Sequence, residues 1–509
     1  MEVFELVIGL LFVGAILAAA ARRLNAPYPA LLALAGAALA LIPGIPTVML
    51  DPELALTLFV APVLLDAAFD SSPRDLKANW RSVTGLALVA VGLTVAAVAV
   101  VVRWMVPEVS WPAAIALGAI VAPPDAAAAT AVLRQLRPPH RLIVILEGES
   151  LFNDASALLI YRLAIGAALT GTFSGWSAVP MLALVCLGSI ALGVALSWVT
   201  LRVLVRINDI ATTVIVQFLS TFAVWMIAER LHLSGIITVV VYAIMAARSA
   251  PDLMPARLRI PSYAVWEVVV FVLNVLAFIL VGLQLKPILA RLASAELLHY
   301  AATGAAVTAA VILIRIFWVT VYSTVARYVR GRSAVVIAWC GMRGIVTIAA
   351  ALALPMEFPH RDLILFTAFC VVLGTLVLQG MTLGPLLRAL ALEDDDTVER
   401  EVRLARAQTT RAGLAAIERN DSGEEMLRLL RRKYEARLRR AEADGMSAEP
   451  IEGDGVPEFN AAYRRAQEEE RRALSELRST GVIGDDAFHR VEEELDWAEV
   501  NAQTMARRD

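Results

Sequence analysis

Ser150 and Asp154 place a hydroxyl and a carboxylate four residues apart, on one face of any helix that carries them. Oxygen donors of this kind suit hard cations. The same carboxylate can instead hold a proton, and burial disfavours holding both together. Two ions competing for one group is the simplest mechanism of exchange. Both residues belong to Glu147-Gly148-Glu149-Ser150-Leu151-Phe152-Asn153-Asp154-Ala155, inside an apolar run from Leu142 to Thr170. A helix starting near Leu142 reaches Asp154 after about 12 residues, roughly 18 Å, close to the middle of a bilayer core about 30 Å thick. An ionisable group at that depth is a functional candidate by default, and a purely structural ion pair is the plainer alternative.

Further candidates surround it. Asp125 follows Ala122-Pro123-Pro124, where adjacent prolines remove backbone donors and push the preceding residue out of the helical region. Asp125 can ligate the same ion or compensate half-helix ends, and freed carbonyls at Ala122 or Pro123 are possible neutral ligands. Asp66, near the end of an apolar segment, is a third oxygen donor; Asp70 is nearer a basic loop and reads as solvated. Glu149 and Arg343 are both deep and opposite in charge, so they are expected to pair. Arg315, a second buried cation, is expected to pair with Glu267, to neutralise half-helix ends, or to set the field on Asp154. Cys186, Cys340 and Cys370 all lie in apolar runs and read as core residues.

The elements that must hold these groups are membrane helices. Of 509 residues, 59 % are hydrophobic and 18 % charged, and the mean hydropathy is +0.68, outside the range of soluble globular chains. Apolar segments of spanning length predict about thirteen helices, the first near residues 3–20 and the last near 362–391. The acidic Met1-Glu2-Val3-Phe4-Glu5 start reads as a first membrane helix, not a removed signal. Alternate loops carry base: Arg22 and Arg23; Arg74, Lys77 and Arg81; Arg134, Arg137 and Arg141; Arg202 and Arg206; Arg248, Arg257 and Arg259; Arg327, Arg330 and Arg332. That pattern predicts an external N-terminus and a cytoplasmic C-terminus.

Two segments are interrupted, one at Pro123-Pro124 and one at Cys340-Gly341-Met342-Arg343-Gly344. Broken helices in corresponding positions of two halves point to a transporter site, because unwound backbone at membrane depth survives where it lines a cavity. Their spacing fits an inverted repeat of helices 1–6 and 8–13. From Glu393 onward the composition turns to Glu, Asp, Arg and Ala, with 29 of the 48 acidic residues and 20 of the 45 basic ones. The expectation is therefore a membrane domain over 1–392 and a charged helical domain over 393–509. Within the latter, Arg428 to Arg440 reads as a basic amphipathic helix, Ala441 to Glu458 as a linker, and Ala461–Leu477 and Asp485–Val500 as helices.

At these residues the chain resembles the cation-proton antiporters, and among them the sodium/proton exchanger branch. The likeness lies in Gly148 to Ala155, in Pro123-Pro124-Asp125, in Glu229-Arg230-Leu231-His232-Leu233-Ser234-Gly235, in Phe271-Val272-Leu273-Asn274 with Gly282-Leu283-Gln284, and in Gly341-Met342-Arg343-Gly344. It covers about the first 390 residues. The resemblance implies a homodimer with dimerisation and core subdomains, crossing broken helices beside the ion, and an elevator-like cycle. It assigns Asp154 as the aspartate that carries cation and proton, Ser150 and Asp66 as supporting ligands of Na⁺, and Asp125 as the broken-helix aspartate. It pairs Arg343 with Glu149. Asn153 replaces the paired aspartate of the electrogenic branch and implies electroneutral exchange. Two departures bear on ion selectivity: Asp66 stands where many relatives have Glu, and Pro124 where many have Thr.

The expected activity is sodium or lithium exchange for protons in the cell membrane, with no cofactor, no enzymatic step and no nucleic-acid partner. Potassium/proton exchange on the same scaffold is the nearest alternative. An intramembrane hydrolase fits less well, since Ser150 lacks a Gly-x-Ser-x-Gly elbow and a membrane histidine. A channel fits less well because broken helices around a buried carboxylate suit alternating access.

Overall fold

The computed structural model describes residues 2–24, 27–43, 51–136, 138–170, 175–291, 297–325, 331–392, 394–419, 425–443 and 457–505. Among these residues the chain is helical, without a strand. In chain order the helices are α1 (Glu2–Leu24), α2 (Tyr28–Ala40), α3 (Pro52–Asp70), α4 (Pro73–Ala78), α5 (Trp80–Met105), α6 (Trp111–Val121), α7 (Ala126–Leu136), α8 (His140–Thr170), α9 (Gly175–Leu204) and α10 (Ile210–Arg230). There follow α11 (Gly235–Leu253), α12 (Ala256–Leu289), α13 (Leu297–Val325), α14 (Arg332–Trp339), α15 (Ile345–Leu352), α16 (Arg361–Leu390), α17 (Thr397–Glu418), α18 (Glu425–Ala443), α19 (Pro457–Ser479) and α20 (Asp485–Met505). Arg137, Arg327, Arg330 and residues 444–456 of the expected linker lie outside the described residues.

Local sequence sets many of these boundaries. Asp51, Ser110, Asp209 and Ser234 each accept a backbone N–H of the first turn of the helix that follows, at 2.9, 3.4, 2.8 and 3.4 Å. Pro52 and Pro112 occupy first-turn positions, where no backbone donor is needed. Helix α5 contains a π turn over Gly85–Ala90, and its carbonyls find side-chain donors: Trp318 Nε1 on Gly85 O at 3.0 Å and Ser156 Oγ on Ala87 O at 2.6 Å. Similar π turns occur in α3 over Leu56–Val60 and in α16 over Leu376–Gly380.

Among the described residues, nine helices are long and apolar enough to cross a membrane. Large apolar side chains on their outer faces, Phe12, Leu184 and Leu313 among them, are exposed, as lipid contact requires. The membrane helices sort into two groups that pack mainly within themselves. The first joins α5 to α8 and α13 to α16; the second joins α1, α2, α3 and α9 to α12. In the second, α2 crosses α12 at Gly36 and Gly282, small residues that bring two backbones together. The remaining helices, α17 to α20, form a bundle with apolar centres at Val402, Leu474, Phe488 and Leu495 and at Ile417, Leu430, Tyr434 and Phe459.

A Cβ added at Gly282 would meet Ala37 N at 2.5 Å and Gly36 C at 2.8 Å, both backbone atoms that cannot rotate away. Gly282→Val is therefore expected to destabilise the membrane domain by about 2 kcal/mol or more. A thermal melt in detergent checks this, with Gly9→Val, whose added Cβ has open space, melting as the wild type.

Candidate functional site

The first helix group brings four half-helix ends to one place. Helix α6 ends at Val121 and α7 begins at Ala126; α14 ends at Trp339 and α15 begins at Ile345. The two breaks are joined directly, Asp125 N donating to Met342 O at 2.7 Å. Helix ends carry partial charge, positive at N-termini and negative at C-termini, and in a low-dielectric surrounding each needs compensation. Arg343, 1 % exposed, supplies it to the C-terminal ends. Its Nε donates to Val121 O at 2.8 Å, its Nη2 to Ala122 O at 3.0 Å, and its Nη1 to Gly341 O. Its own backbone N–H donates to Thr375 Oγ1 at 3.0 Å. Asp125 answers the N-terminal ends. Its Oδ1 accepts from Ala127 N at 2.9 Å, and its carboxylate lies so close to Gly344 that a Cβ there would overlap it.

Helix α8 runs beside both breaks. On another side of α8, Gly148 lets Leu76 of α4 and Val83 of α5 pack where a side chain would stand. Ser150 Oγ accepts from Ala126 N at 3.4 Å and Asn153 Nδ2 donates to Pro124 O at 3.1 Å, so α8 is pinned to the first turn of α7. Asp154, 5 % exposed, is near enough to Asp125 for their charges to repel. No described residue donates a hydrogen bond to its carboxylate. Beside it, the buried Asn153 Oδ1 has no hydrogen-bond partner among the described residues.

Glu149 is paired, though not with the expected partner. Arg315 of α13 holds it through both oxygens, Nη1 to Oε1 at 2.5 Å and Nη2 to Oε2 at 2.8 Å, while Arg315 Nε donates to Ile337 O of α14 at 3.1 Å. Arg343 is committed to backbone carbonyls instead, because the break presents three acceptors to its planar fork. Glu267, the other expected partner of Arg315, is exposed on α12. Asp66 is half-buried on α3, in the second helix group. Its neighbours Leu65 and Ala68 pack with Leu151, next to Ser150, which sets α3 against α8 at this level. The sequence did not flag Thr375, Gly344 as a seat for Asp125, or Ala126; a hydroxyl at Thr375 in the apolar helix α16 was the one available signal.

The family profile for the transmembrane sodium/hydrogen exchangers matches residues 8–389. The chain belongs to that family. It is a multi-pass membrane transporter, not an enzyme. An uncharacterized Na⁺/H⁺ exchanger of Mycobacterium tuberculosis is 30 % identical over 531 residues, covering 97 % of this chain and 96 % of the relative. A sodium, potassium, lithium and rubidium/H⁺ antiporter of Bacillus pumilus is 31 % identical, over 81 % of this chain and 66 % of its own length. Among solved structures, the sodium proton antiporter MjNhaP1 from Methanocaldococcus jannaschii superposes with a TM-score of 0.60 at 19 % identity, covering 77 % of this chain and all of that one. The likeness is one of fold.

The pair of Glu149 and Arg315 is buried on both sides. Removing one partner strands a charge, so Glu149→Gln and Arg315→Met are each expected to cost about 3–5 kcal/mol, and the double substitution less than either alone. Thermal melts of the three variants form the cycle that checks it.

Proposed function

We propose that the protein is a sodium or lithium/proton antiporter that exchanges one cation for one proton at Asp154. The observation that carries this is the charge balance of the buried cluster. The first helix group, which carries the ion in this reading, holds Glu149, Asp125 and Asp154 with Arg315 and Arg343, three acids against two cations, while Asp66 belongs to the second group and is not carried. One negative charge is left, and one proton or one monovalent cation cancels it. Two ions together would leave a buried excess of the opposite sign, which is costly. Asn153, neutral and engaged with Pro124, adds no further charge. Exchange is then electroneutral.

Ser150 and Asp66 are the supporting ligands in this reading. Ser150 Oγ already accepts one hydrogen bond and keeps a lone pair for a cation beside Asp154. Asp66 completes the oxygen set from across the boundary between the helix groups when the two are in register. In the cycle, the first group carries Asp154 with its ion past the second, releases it on the other side, and returns with the competing ion. The protein works as a homodimer in the cell membrane, the second group staying fixed. The N-terminus is external and α17 to α20 are cytoplasmic, as the basic loops indicate. The two halves are inverted repeats, and 393–509 is a separate domain. Potassium is the alternative cation, favoured by the naming of the Bacillus pumilus relative for sodium, potassium, lithium and rubidium.

The test is dissipation of a proton gradient in proteoliposomes by NaCl, LiCl, KCl or choline chloride. Sodium and lithium are expected to collapse it without a membrane-potential change, and Asp154→Asn to abolish the response. Ser150→Ala is expected to keep exchange while raising the sodium KM about fivefold, the effect of losing one polar contact of about 1 kcal/mol. A response to potassium alone changes the substrate. A response that survives Asp154→Asn removes the mechanism.

A further inference from the structure

The bundle of α17 to α20 is fastened to both helix groups at once. On the second group, Arg259 at the start of α12 is 1 % exposed and holds Asp496 of α20, Nη2 to Oδ1 at 2.5 Å and Nε to Oδ2 at 3.0 Å, with Glu492 Oε1 at 3.4 Å from its Nη1. Beside it Phe69 of α3 stacks on His489, ring centroids 6.0 Å apart, and Arg478 donates to Ala247 O of α11 at 3.2 Å. On the first group, His140 opens α8, the helix of Asp154, and its Nδ1 lies 3.3 Å from Asp486 of α20. Between the groups, α4 links α3 to α5. Its Arg74 reaches Glu401 of α17 at 2.8 Å and the carbonyls of Gly481 and Val482, each at 3.3 Å, in the turn before α20.

We infer that α20 is a strap across the two helix groups, which opposes their relative movement and is released when the pH on its own face rises, His140 being the group that responds. This rests on the alternating-access reading above. A cycle in which one group slides past the other must stretch or detach an element that grips both. Of these contacts, those of Arg259, Arg478 and Arg74 are made by guanidinium groups that keep their charge at any physiological pH, and that of Phe69 with His489 is a ring stack. The one on the moving group is an imidazole, whose charge changes near neutrality.

The groups facing His140 are Asp75 of α4, 3.5 Å from its Nε2, Asp486 of α20, and Asp395 in the connection to α17; the adjacent Arg141 is turned to Asn79. The hydrogen bond to Asp75 is the largest influence on His140 and raises its pKa, partial burial opposes it, and the charges of Asp486 and Asp395 add to the rise. Asp75 stays with the membrane domain whether or not the strap is seated. Asp486 arrives with it, so seating favours the charged imidazole and the charged imidazole favours seating. By linkage, this contribution is fully present below the pKa of the unseated state, which Asp75 already raises, and is lost as pH rises through the still higher value of the seated state. Transport therefore increases on the alkaline side. An antiporter that brings protons in is then restrained when the strap face is already acidic.

The experiment uses the full chain in proteoliposomes with saturating sodium, varying pH on the face that bears α20. Exchange by the wild type is expected to climb between pH 6.5 and 8.5. His140→Gln and Asp486→Asn are each expected to raise the rate at pH 6.5 about fivefold and to flatten the climb, a shift at the lower end of ordinary coupling between sites. His140→Arg, charged throughout, is expected to depress the rate at pH 8.5 by a similar factor. Asp486 has a half-exposed side chain, so its replacement leaves folding intact. A wild-type profile in both Asp486→Asn and His140→Gln, or a profile displaced by His489→Gln and not by them, overturns the strap while leaving antiport standing. Absence of sodium-dependent exchange in the wild type at every pH overturns the antiport reading itself.

Discussion

Four helix ends meeting inside a membrane form an electrostatic problem that the rest of this structure answers. A continuous helix satisfies its own backbone; each break exposes one carbonyl end and one amide end where no bulk water can reach them, so two breaks expose two of each. Prolines at 123 and 124 and glycines at 341 and 344 break two helices at one level. The consequence is a required set of charges: cations toward the carbonyl ends of α6 and α14, an acid toward the amide ends of α7 and α15. Arg343, Arg315 and Asp125 occupy those places. Once they are fixed, Glu149 is drawn to Arg315, and Asp154 is the carboxylate for which no described donor remains. Its reactivity toward a cation or a proton is thus a remainder, set by everything around it being already satisfied.

The division of the helices into two groups gives that remainder a direction. Both breaks, α8 and α13 lie in one group and share its packing, so in the proposed cycle the candidate site travels as a unit. Asp66 lies in the other group and meets α8 through the contact of Leu65 and Ala68 with Leu151. If Asp66 is a ligand as proposed, the proposed sliding would make and unmake its contact, whereas Ser150 shares a helix with Asp154. The two supporting residues therefore differ in role, although in sequence both are simply oxygen donors near an acid.

How far this was legible in the sequence depends on the range of the interaction. The helix breaks were readable because proline and glycine act on their own backbone, and the depth of Asp154 because hydropathy runs are local. The partner of Glu149 was not. Two arginines of equal depth were available, and the choice depends on which carbonyls the folded break presents to each guanidinium, a matter of three helices meeting. The π turns of α3, α5 and α16 left no signal, since their added residue is accommodated by neighbours such as Trp318 and Ser156. Helix α17 was passed over because its apolar face is alanine-rich and reads as solvated without α19 and α20 against it.

Arg74 and Arg259 show the same limit from the other side. In sequence they are loop cations that mark orientation, which is all that the loop-charge rule reads. In the structure each is occupied by the C-terminal bundle, and Arg259 is wholly withdrawn from water. Burying Arg259 with Asp496 and Glu492 costs much of what their attraction returns, so such a contact gives little net affinity while strongly penalising any misplacement that strands one partner. A fastening of that kind fixes where α20 sits without holding it irreversibly. The half-exposed contact of His140 with Asp486 adds a second weak tie. Two weak but exacting ties, on groups that the proposed cycle slides past one another, can be shifted by the change of a single charge, whereas an apolar seal of the same extent could not.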